Sequence, residues 1–457
     1  MRYILAPEIA LRSWEKVPYA FYYRHERTAR GLKKDEFELL TRCDGQQELS
    51  ESPLLDSLLE RELIVPAASG ERLTDWQRPM VCNNRYMPSM NWMITGKCNY
   101  NCIHCFNAAD NAPLQSEFSW EEAERLMDEA QQCGINGFTI TGGEPMAHRC
   151  FMDIVRGIYA RGMYIFELNT NGFFLTQQIL DEMKDIGCDP LMKISFDGVG
   201  FHDTMRGRKG AEQDAIRAIR LCIDNGFAVK VQMNFNRANL NCIDETLERM
   251  DALGVRQTRV IRTTEAPRWE QNAKGMTFGI TEYYDACMEA AQVYLRKPHR
   301  MSVDFWQFFT LYPASQAYTL STGTQAGESF RETFPLCRGN RGMVAVSADG
   351  NVYPCLQMSG WFVEHGRVFG NVKTDGLKPL LQGGAYMDEV CATVRDLTAV
   401  NAECRDCANL RECCGGCRAL AILTDGGLRG CDRAKCVLYR EGYPQKLAEA
   451  LQGIHRF

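Results

Sequence analysis

The sequence predicts an α/β chain built around a parallel sheet or barrel, and three observations carry that prediction. Short apolar runs alternate with amphipathic helical segments, giving about six β/α units at roughly 30-residue spacing. Polar, turn-prone residues close these runs in succession, at the strand ends where sites in parallel folds gather. Cysteines cluster in one loop ahead of the repeat and again in the last third of the chain.

Residues 1–85 lie outside the repeat. Ile4 and Leu5, then residues 20–23, read as short strands. Residues 34–41 read as a helix with Phe37, Leu39 and Leu40 apolar, and 52–61 as a second helix. An apolar run at 62–65 and a polar turn at 68–71 follow. This order predicts a small winged-helix-like unit; a structural cap over the barrel is the plainer reading. The linker 74–80 carries Trp76 and Pro79, which predicts an ordered connection.

The run from Lys97 to Phe106 places Cys98, Cys102 and Cys105 at C-x3-C-x2-C spacing. Each iron of a four-iron cluster wants its own terminal ligand, so three thiolates leave one iron open to a small molecule. That is the logic of a radical enzyme that chelates S-adenosylmethionine (SAM) on the open iron. A zinc knuckle lacking one ligand is the plainer reading.

The repeat begins with a strand at 92–95. Ser119-Trp-Glu-Glu122 is a capping box, and Ala123, Leu126, Met127 and Ala130 continue one helical face to Gly134. Strands follow at 138–141, 164–169, 192–196, 229–235 and 258–261. Helices fall at 150–160, from the Thr176 cap to about Gly187, at 211–225 and at 243–253.

The strand ends carry the chemistry. Thr141-Gly-Gly-Glu-Pro145 ends the second strand; paired glycines let backbone approach a ligand, and a Glu can accept from an ammonium group. Asn169-Thr-Asn-Gly172, Ser195-Phe-Asp-Gly198, and Asn234 with Asn236 end the next three. Arg206 is a candidate partner for a carboxylate. Arg268, Trp269 and the run Phe305-Trp-Gln-Phe-Phe309 are candidates to line a substrate cavity, with core packing as the commoner fate of aromatics.

With these landmarks in order, residues from about 88 to 265 resemble the radical SAM family in its partial (β/α)6, TIM-like barrel form. The resemblance implies that Cys98, Cys102 and Cys105 hold the catalytic cluster and that His104 stands beside the adenine. It implies that Gly142, Gly143, Glu144 and Pro145 hold the SAM amino group. It also places Asn171, Ser195, Asp197, Arg206 and Asn234 at the cofactor. Histidine at 104 departs from the family's usual aromatic.

The carboxyl third shows C-x12-G-x4-C over Cys337, Gly350 and Cys355, with a hairpin turning at Asp349-Gly350. It continues as C-x2-C-x5-C-x3-C over Cys404, Cys407, Cys413 and Cys417, then Cys431 and Cys436. One zinc ribbon would leave several of these unused. The pattern resembles the SPASM extension, which implies two auxiliary clusters. Cys404, Cys407, Cys413 and Cys436 would hold one, with Cys431 the rival to Cys436. Cys337, Cys355 and Cys417 would hold the other, with an open iron or with Cys391 or Cys414 completing it. Three 4Fe–4S clusters and SAM are the cofactors implied.

Composition agrees. The chain has 457 residues, 21 cysteines and a net charge of −6 without a basic block, which argues against nucleic acid as a partner. The first residues form no signal peptide and no apolar run spans a bilayer, so a cytoplasmic chain with reduced thiols is predicted, with no membrane partner. The domains expected are a winged-helix-like unit at 1–85, the barrel at 86–295, a bridging region at 296–330 and the SPASM region at 331–457. The amino-terminal unit resembles elements that capture the leader of a precursor peptide, which implies a peptide maturase forming a thioether, a carbon–carbon link or an epimer. Its reductant would be a protein such as flavodoxin or ferredoxin. A sulfatase-maturing enzyme would place an Asp where Leu356 follows Cys355. A small-molecule enzyme of the same family is a rival reading. So is a non-catalytic iron–sulfur electron carrier, which would need no SAM pocket.

Overall fold

The computed structural model describes residues 1–24, 26, 29–105, 116–263, 267–321, 330–337 and 342–457. Phe106, the end of the cysteine run, lies outside them, as do residues 322–329 of the expected bridging region.

The chain opens with β1 (Arg2–Leu5), β2 (Ile9–Trp14), β3 (Val17–Tyr23), β4 (Arg30–Gly31), α1 (Lys34–Thr41), β5 (Asp44–Glu48), α2 (Pro53–Glu60), β6 (Ile64–Pro66) and β7 (Met80–Val81). They form two small sheets, ordered β5-β1-β6 and β4-β3-β2-β7. Leu5, Ile9, Phe21, Leu40, Leu58 and Ile64 share an apolar core of their own. Both expected helices are present, and Ser52 caps α2 by accepting the Leu55 N–H. The expected turn at 68–71 is closed by Glu71, whose carboxylate accepts the Ala68 N–H at 2.7 Å. The strand that follows that turn, β7, pairs with β2 in the other sheet and not with β6, so β6 pairs with β1 instead of a wing arm. Trp14 and Tyr22 dock this unit on the barrel, donating to the carbonyls of Cys133 (2.9 Å) and Gly134. The linker is ordered: the Arg12 guanidinium donates to the carbonyls of Trp76 at 3.1 Å and Arg78 at 3.2 Å.

The barrel comprises β8 (Ser89–Thr95), α3 (Trp120–Gln132), β9 (Gly137–Gly142), α4 (Phe151–Ala160), β10 (Tyr164–Thr170), α5 (Gln177–Ile186), β11 (Leu191–Ser195), α6 (His202–Arg206), α7 (Ala211–Asp224), β12 (Val229–Phe235), α8 (Ile243–Leu253) and β13 (Gln257–Arg262). Every expected strand and helix of the repeat is present. Neighbouring strands pair in parallel, with Met90 opposite Phe138, Leu168 opposite Met192, and Val231 opposite Thr258. The capping box of α3 forms as the sequence demands: Ser119 Oγ accepts the Glu122 N–H, and Glu122 accepts the Ser119 N–H at 2.9 Å. Outward-facing strand residues bury against the helices; Trp92, Phe138, Ile194 and Phe235 are completely covered.

The sheet then exceeds the six expected units. After α9 (Pro267–Asn272) and α10 (Ile280–Tyr294), β14 (Ser302–Phe305) adds a further parallel strand to β13. β15 (Phe309–Tyr312) and β16 (Ala317–Leu320) continue it antiparallel. The bridging region is therefore largely sheet. Its aromatic run is core, correcting the cavity-lining candidate: Phe305, Phe308 and Phe309 are fully buried, and Trp306 carries the Arg259 guanidinium 4.3 Å from its ring centroid. β14 is short and interrupted by Asp304, which hides its apolar pattern.

The hairpin expected near residue 350 forms from β17 (Met343–Val346) and β18 (Val352–Tyr353). Gly350 turns it at φ +90°, a conformation that favours glycine. β17 pairs in parallel with β8, so the carboxyl region extends the barrel sheet at its first edge. Short helices follow, and β19 (His455–Arg456) closes the far edge on β16. No helix among the described residues is long and apolar enough to cross a membrane.

Candidate active site

The cysteine loop leaves β8 and folds over the barrel's carboxyl rim. Thr95 turns it, accepting the Gly143 N–H on its carbonyl at 2.7 Å and the Lys97 N–H on its hydroxyl at 3.1 Å. A side chain at Gly142 would lie 2.6 Å from the Thr95 carbonyl, and one at Gly143 would collide with the carbonyls of Gly96 and Lys97. The paired glycines thus serve the loop's own backbone, whatever they also offer a ligand. Cys102 is buried, Cys105 partly so, and Cys98 is exposed as a residue. Arg206 donates toward Cys102 Sγ at 3.7 Å, and Asn171 Nδ2 lies 4.0 Å from Cys98 Sγ and donates to Asn99 Oδ1 at 2.8 Å. Desolvation, with the neighbouring Cys102, Glu144 and Cys105 adding, pushes the Cys98 thiol up to about 12. A metal must therefore displace its proton, as thiolate ligation requires.

Glu144, which the resemblance puts at the SAM amino group, is held by its neighbours in the fold. It is fully buried, and both its oxygens are engaged within the protein: the Thr170 hydroxyl and the Asn171 N–H each donate to it at 2.8 Å. It ties the end of β9 to the end of β10, and burial pushes its carboxyl up to about 7.

Asp197 and Arg206 meet each other, with Arg206 Nε 2.7 Å from Asp197 Oδ2 and both side chains buried. The Asn234 N–H donates to Asp197 Oδ1 at 2.9 Å. Burial opposes the Asp197 charge, but Arg206, His104, His202 and the Asn234 N–H outweigh it and hold the carboxyl below its usual range. His202 stacks on Phe196 and accepts the Asp197 N–H on Nδ1 at 2.9 Å; its burial holds it neutral, down to about 3. His104 is also kept neutral by burial, near 4, and its buried Nδ1 has no partner among the described residues. Ser195, at the end of β11, remains partly exposed. His104, Asn171, Ser195, Asp197, Arg206 and Asn234 thus gather on one rim with the three thiols. Soft thiolates and an unpartnered imidazole nitrogen suit an iron–sulfur cluster and a purine-bearing ligand.

Sequence reasoning missed a charged lining two to four residues deeper along the strands. Lys193 pairs with Glu167 at 3.4 Å, and Asp304 with Arg259 at 2.6 Å and Lys230 at 4.0 Å. The register places Lys193 beside Lys230 and Arg259 beside Asp304. Burial, with Arg259 adding, draws the Lys230 ammonium down to about 8. The available signal was charge at alternate positions of otherwise apolar strands. Trp269, expected at a cavity, is instead fully buried against Met205 and Ala273, its Nε1 donating to Thr277 at 2.8 Å. Arg268 reaches the cysteine loop and donates to Asn101.

In the carboxyl region Cys404, Cys407, Cys413, Cys431 and Cys436 line a single cavity. Cys404 and Cys431 sulfurs lie 3.7 Å apart, and Glu403, Cys431 and Cys436 have ligand atoms within 4.8 Å of one another. Cys431 and Cys436 therefore both reach the site for which the sequence preferred Cys436. Leu438, fully buried, provides the anchor expected after Cys436. Cys355 and Cys417 are electrostatic neighbours of each other and of Cys337, and burial pushes them up to about 11 and about 12. Asp432 stands between the two groups, accepting the Cys417 and Lys435 N–H groups at 2.8 and 3.1 Å. The buried Lys435 ammonium donates to the carbonyls of Gln307 and Ser321, clasping this region to the barrel.

Comparison with known proteins agrees with this layout. Residues 92–250 match the radical SAM superfamily, and 337–408 match the SPASM iron–sulfur cluster-binding domain. The chain is 24% identical over 343 residues to the AdoMet-dependent heme synthase of Methanosarcina barkeri, covering 73% of this chain and 92% of that protein. It is 23% identical over 358 residues to the PqqA peptide cyclase of Rhizobium meliloti, covering 76% and 87%. Its fold matches Streptococcus suis SuiB bound to the precursor peptide SuiA at TM-score 0.65 and 12% identity, covering 94% of this chain and 98% of that one. With three rim thiols, a polar strand-end pocket and a second cysteine-rich region in place, the chain carries a radical SAM domain over residues 92–250 and a SPASM domain over 337–408, the domains of an enzyme that uses SAM and 4Fe–4S clusters.

Proposed function

We propose that this enzyme is a peptide maturase that removes hydrogen from a carbon of a ribosomally made precursor peptide. The observation that supports it most is the reach of the structural likeness. The match with peptide-bound SuiB extends over 94% of the chain, so it takes in most of the amino-terminal unit as well as the barrel. That unit has its own core and a three-stranded sheet whose outer strands are β5 and β6, edges to which a leader can add as a further strand.

Cys98, Cys102 and Cys105 hold the first cluster, and two auxiliary clusters make three. When bound, SAM and the first cluster supply a 5′-deoxyadenosyl radical as the hydrogen acceptor. The chain's own residues position and shelter. Gly142, Gly143 and Pro145 present backbone at the amino end of SAM. His104 offers its ring to the adenine, while Ser195 and Asn234 stand at the ribose. Arg206, braced by Asp197, places positive charge beside the cluster loop. The Lys193, Lys230 and Arg259 cations of this lining suit a substrate carrying carboxylates. A cytoplasmic location and a flavodoxin- or ferredoxin-like reductant complete the reading.

A second reading, a small-molecule enzyme, is favoured by the similarity to the heme synthase, which leaves about a quarter of this chain outside the match. One experiment separates them. The reconstituted, reduced enzyme is given SAM and, in parallel, a precursor peptide encoded beside its gene or an iron-bearing tetrapyrrole. A mass change in the peptide supports the proposal. Turnover of the tetrapyrrole with an unchanged peptide sinks it.

A further inference from the structure

We propose that Cys391 supplies the fourth thiolate to the cluster held by Cys337, Cys355 and Cys417, closing it against outside ligands. The proposal rests on the assignment of those three cysteines made above.

The backbone brings Cys391 to them. Val394 N–H donates to the Phe334 carbonyl and Leu336 N–H to the Ala392 carbonyl, each at 2.9 Å, with Pro335 opposite Thr393. This short antiparallel pairing ends at a cysteine on both sides: Cys337 follows Leu336, and Cys391 precedes Ala392. The register of the bridge, carried one step past Leu336 and Ala392, sets Cys337 and Cys391 at the same end of it. Cys391 is also the residue that ends the helix Ala385–Val390, so a turn presents it there.

A second observation comes from the other side of the group. Tyr386, on that helix, is buried, and its phenol feels both the Cys391 and the Cys355 thiols. Cys355 in turn feels Cys337, and Cys417 feels both. Cys391 therefore joins the three assigned cysteines through two separate neighbours, the strand at 334–336 and Tyr386.

The rival thiol is already occupied. Cys414 is fully buried among Leu336, Ala392, Val394 and Leu397, and its Sγ donates to the Arg411 carbonyl at 3.4 Å.

Ligation involves no electron transfer. The Cys391 thiol releases its proton to solvent, and its sulfur becomes the fourth iron's terminal donor. A cluster closed in this way can relay an electron, but it has no vacancy for a substrate group. The structure thus assigns this auxiliary cluster a conduit role.

The test uses the full chain, reconstituted anaerobically with iron and sulfide, in a C98A/C102A/C105A background so that only the auxiliary clusters are read. The background should hold about eight irons, four per cluster. On mild oxidation it should give no three-iron electron paramagnetic resonance signal, and cyanide should leave its reduced spectrum unmoved. C391A should lose a labile iron, show the three-iron signal and shift with cyanide, while C414A should behave as the background does. Two results overturn the proposal: C391A matching the background, or the background itself showing the three-iron signal and the cyanide shift. A background holding only about four irons would instead refute the underlying assignment of Cys337, Cys355 and Cys417, and the proposal with it.

Discussion

Cys98, Cys102 and Cys105 come from one loop at the barrel rim, whereas Cys404, Cys407, Cys413, Cys431 and Cys436 converge from short helices and turns on one cavity. The first set is short of a ligand and is surrounded by polar groups aimed at the same rim: His104, Asn171, Arg206. The second has a thiol to spare and shares its cavity with Leu410, Lys435 and Tyr439. An incomplete set ringed by polar groups suits chemistry at iron, while a surplus set suits a cluster that only passes electrons. The difference lies in what the fold places around the sulfur as much as in the sulfur count.

The largest effect that would sharpen this contrast is C102A. It should abolish SAM cleavage and remove about four irons per chain, while C404A should leave cleavage measurable. Equal loss of cleavage in both would break the contrast. Next is G143A, whose added methyl meets the Gly96 and Lys97 carbonyls. Overpacking of this kind costs about 1–3 kcal/mol. Lower iron occupancy at the first cluster, with the auxiliary clusters intact by Mössbauer spectroscopy, is the expected readout. Third, C436A should lose the cluster of the second set and C431A should keep it; the reverse pattern in iron content would reassign the ligand.

The smallest effect is a pH dependence. Glu144 is held at about 7 by burial, against about 4.3 in an unfolded chain. The folded state keeps the extra proton. Its contribution is therefore full below about pH 4 and is lost as pH rises through 7, about 3–4 kcal/mol across the window. Denaturant unfolding of the metal-free protein should show wild type losing stability relative to E144Q over that range. Parallel curves would show that Glu144 titrates normally.

Much of this molecule was legible in its sequence because the signals are local. Ser119 with Glu122, Thr176, and the apolar faces of α3 and α7 declare their helices within a few residues, and the strands between them are short and apolar. What was not legible depends on distant pairing. β14 reads poorly alone because Asp304 interrupts it, yet Arg259 on β13 pairs with that same aspartate. That β17 would pair with β8, more than two hundred residues earlier, has no local mark. The motif names Glu144 but not its protein partners; Thr170 and Asn171 meet it only in the fold. Trp269 and the run Phe305 to Phe309 show the same ambiguity, since an aromatic that lines a cavity and one that fills a core look alike in sequence.

The open iron is tested most directly by electron paramagnetic resonance of the reduced, reconstituted enzyme with and without SAM. SAM should change the spectrum of one cluster only, and that cluster should be the one missing in C98A/C102A/C105A. A spectrum indifferent to SAM, or a first site filled by zinc in anaerobically purified protein, would contradict the account.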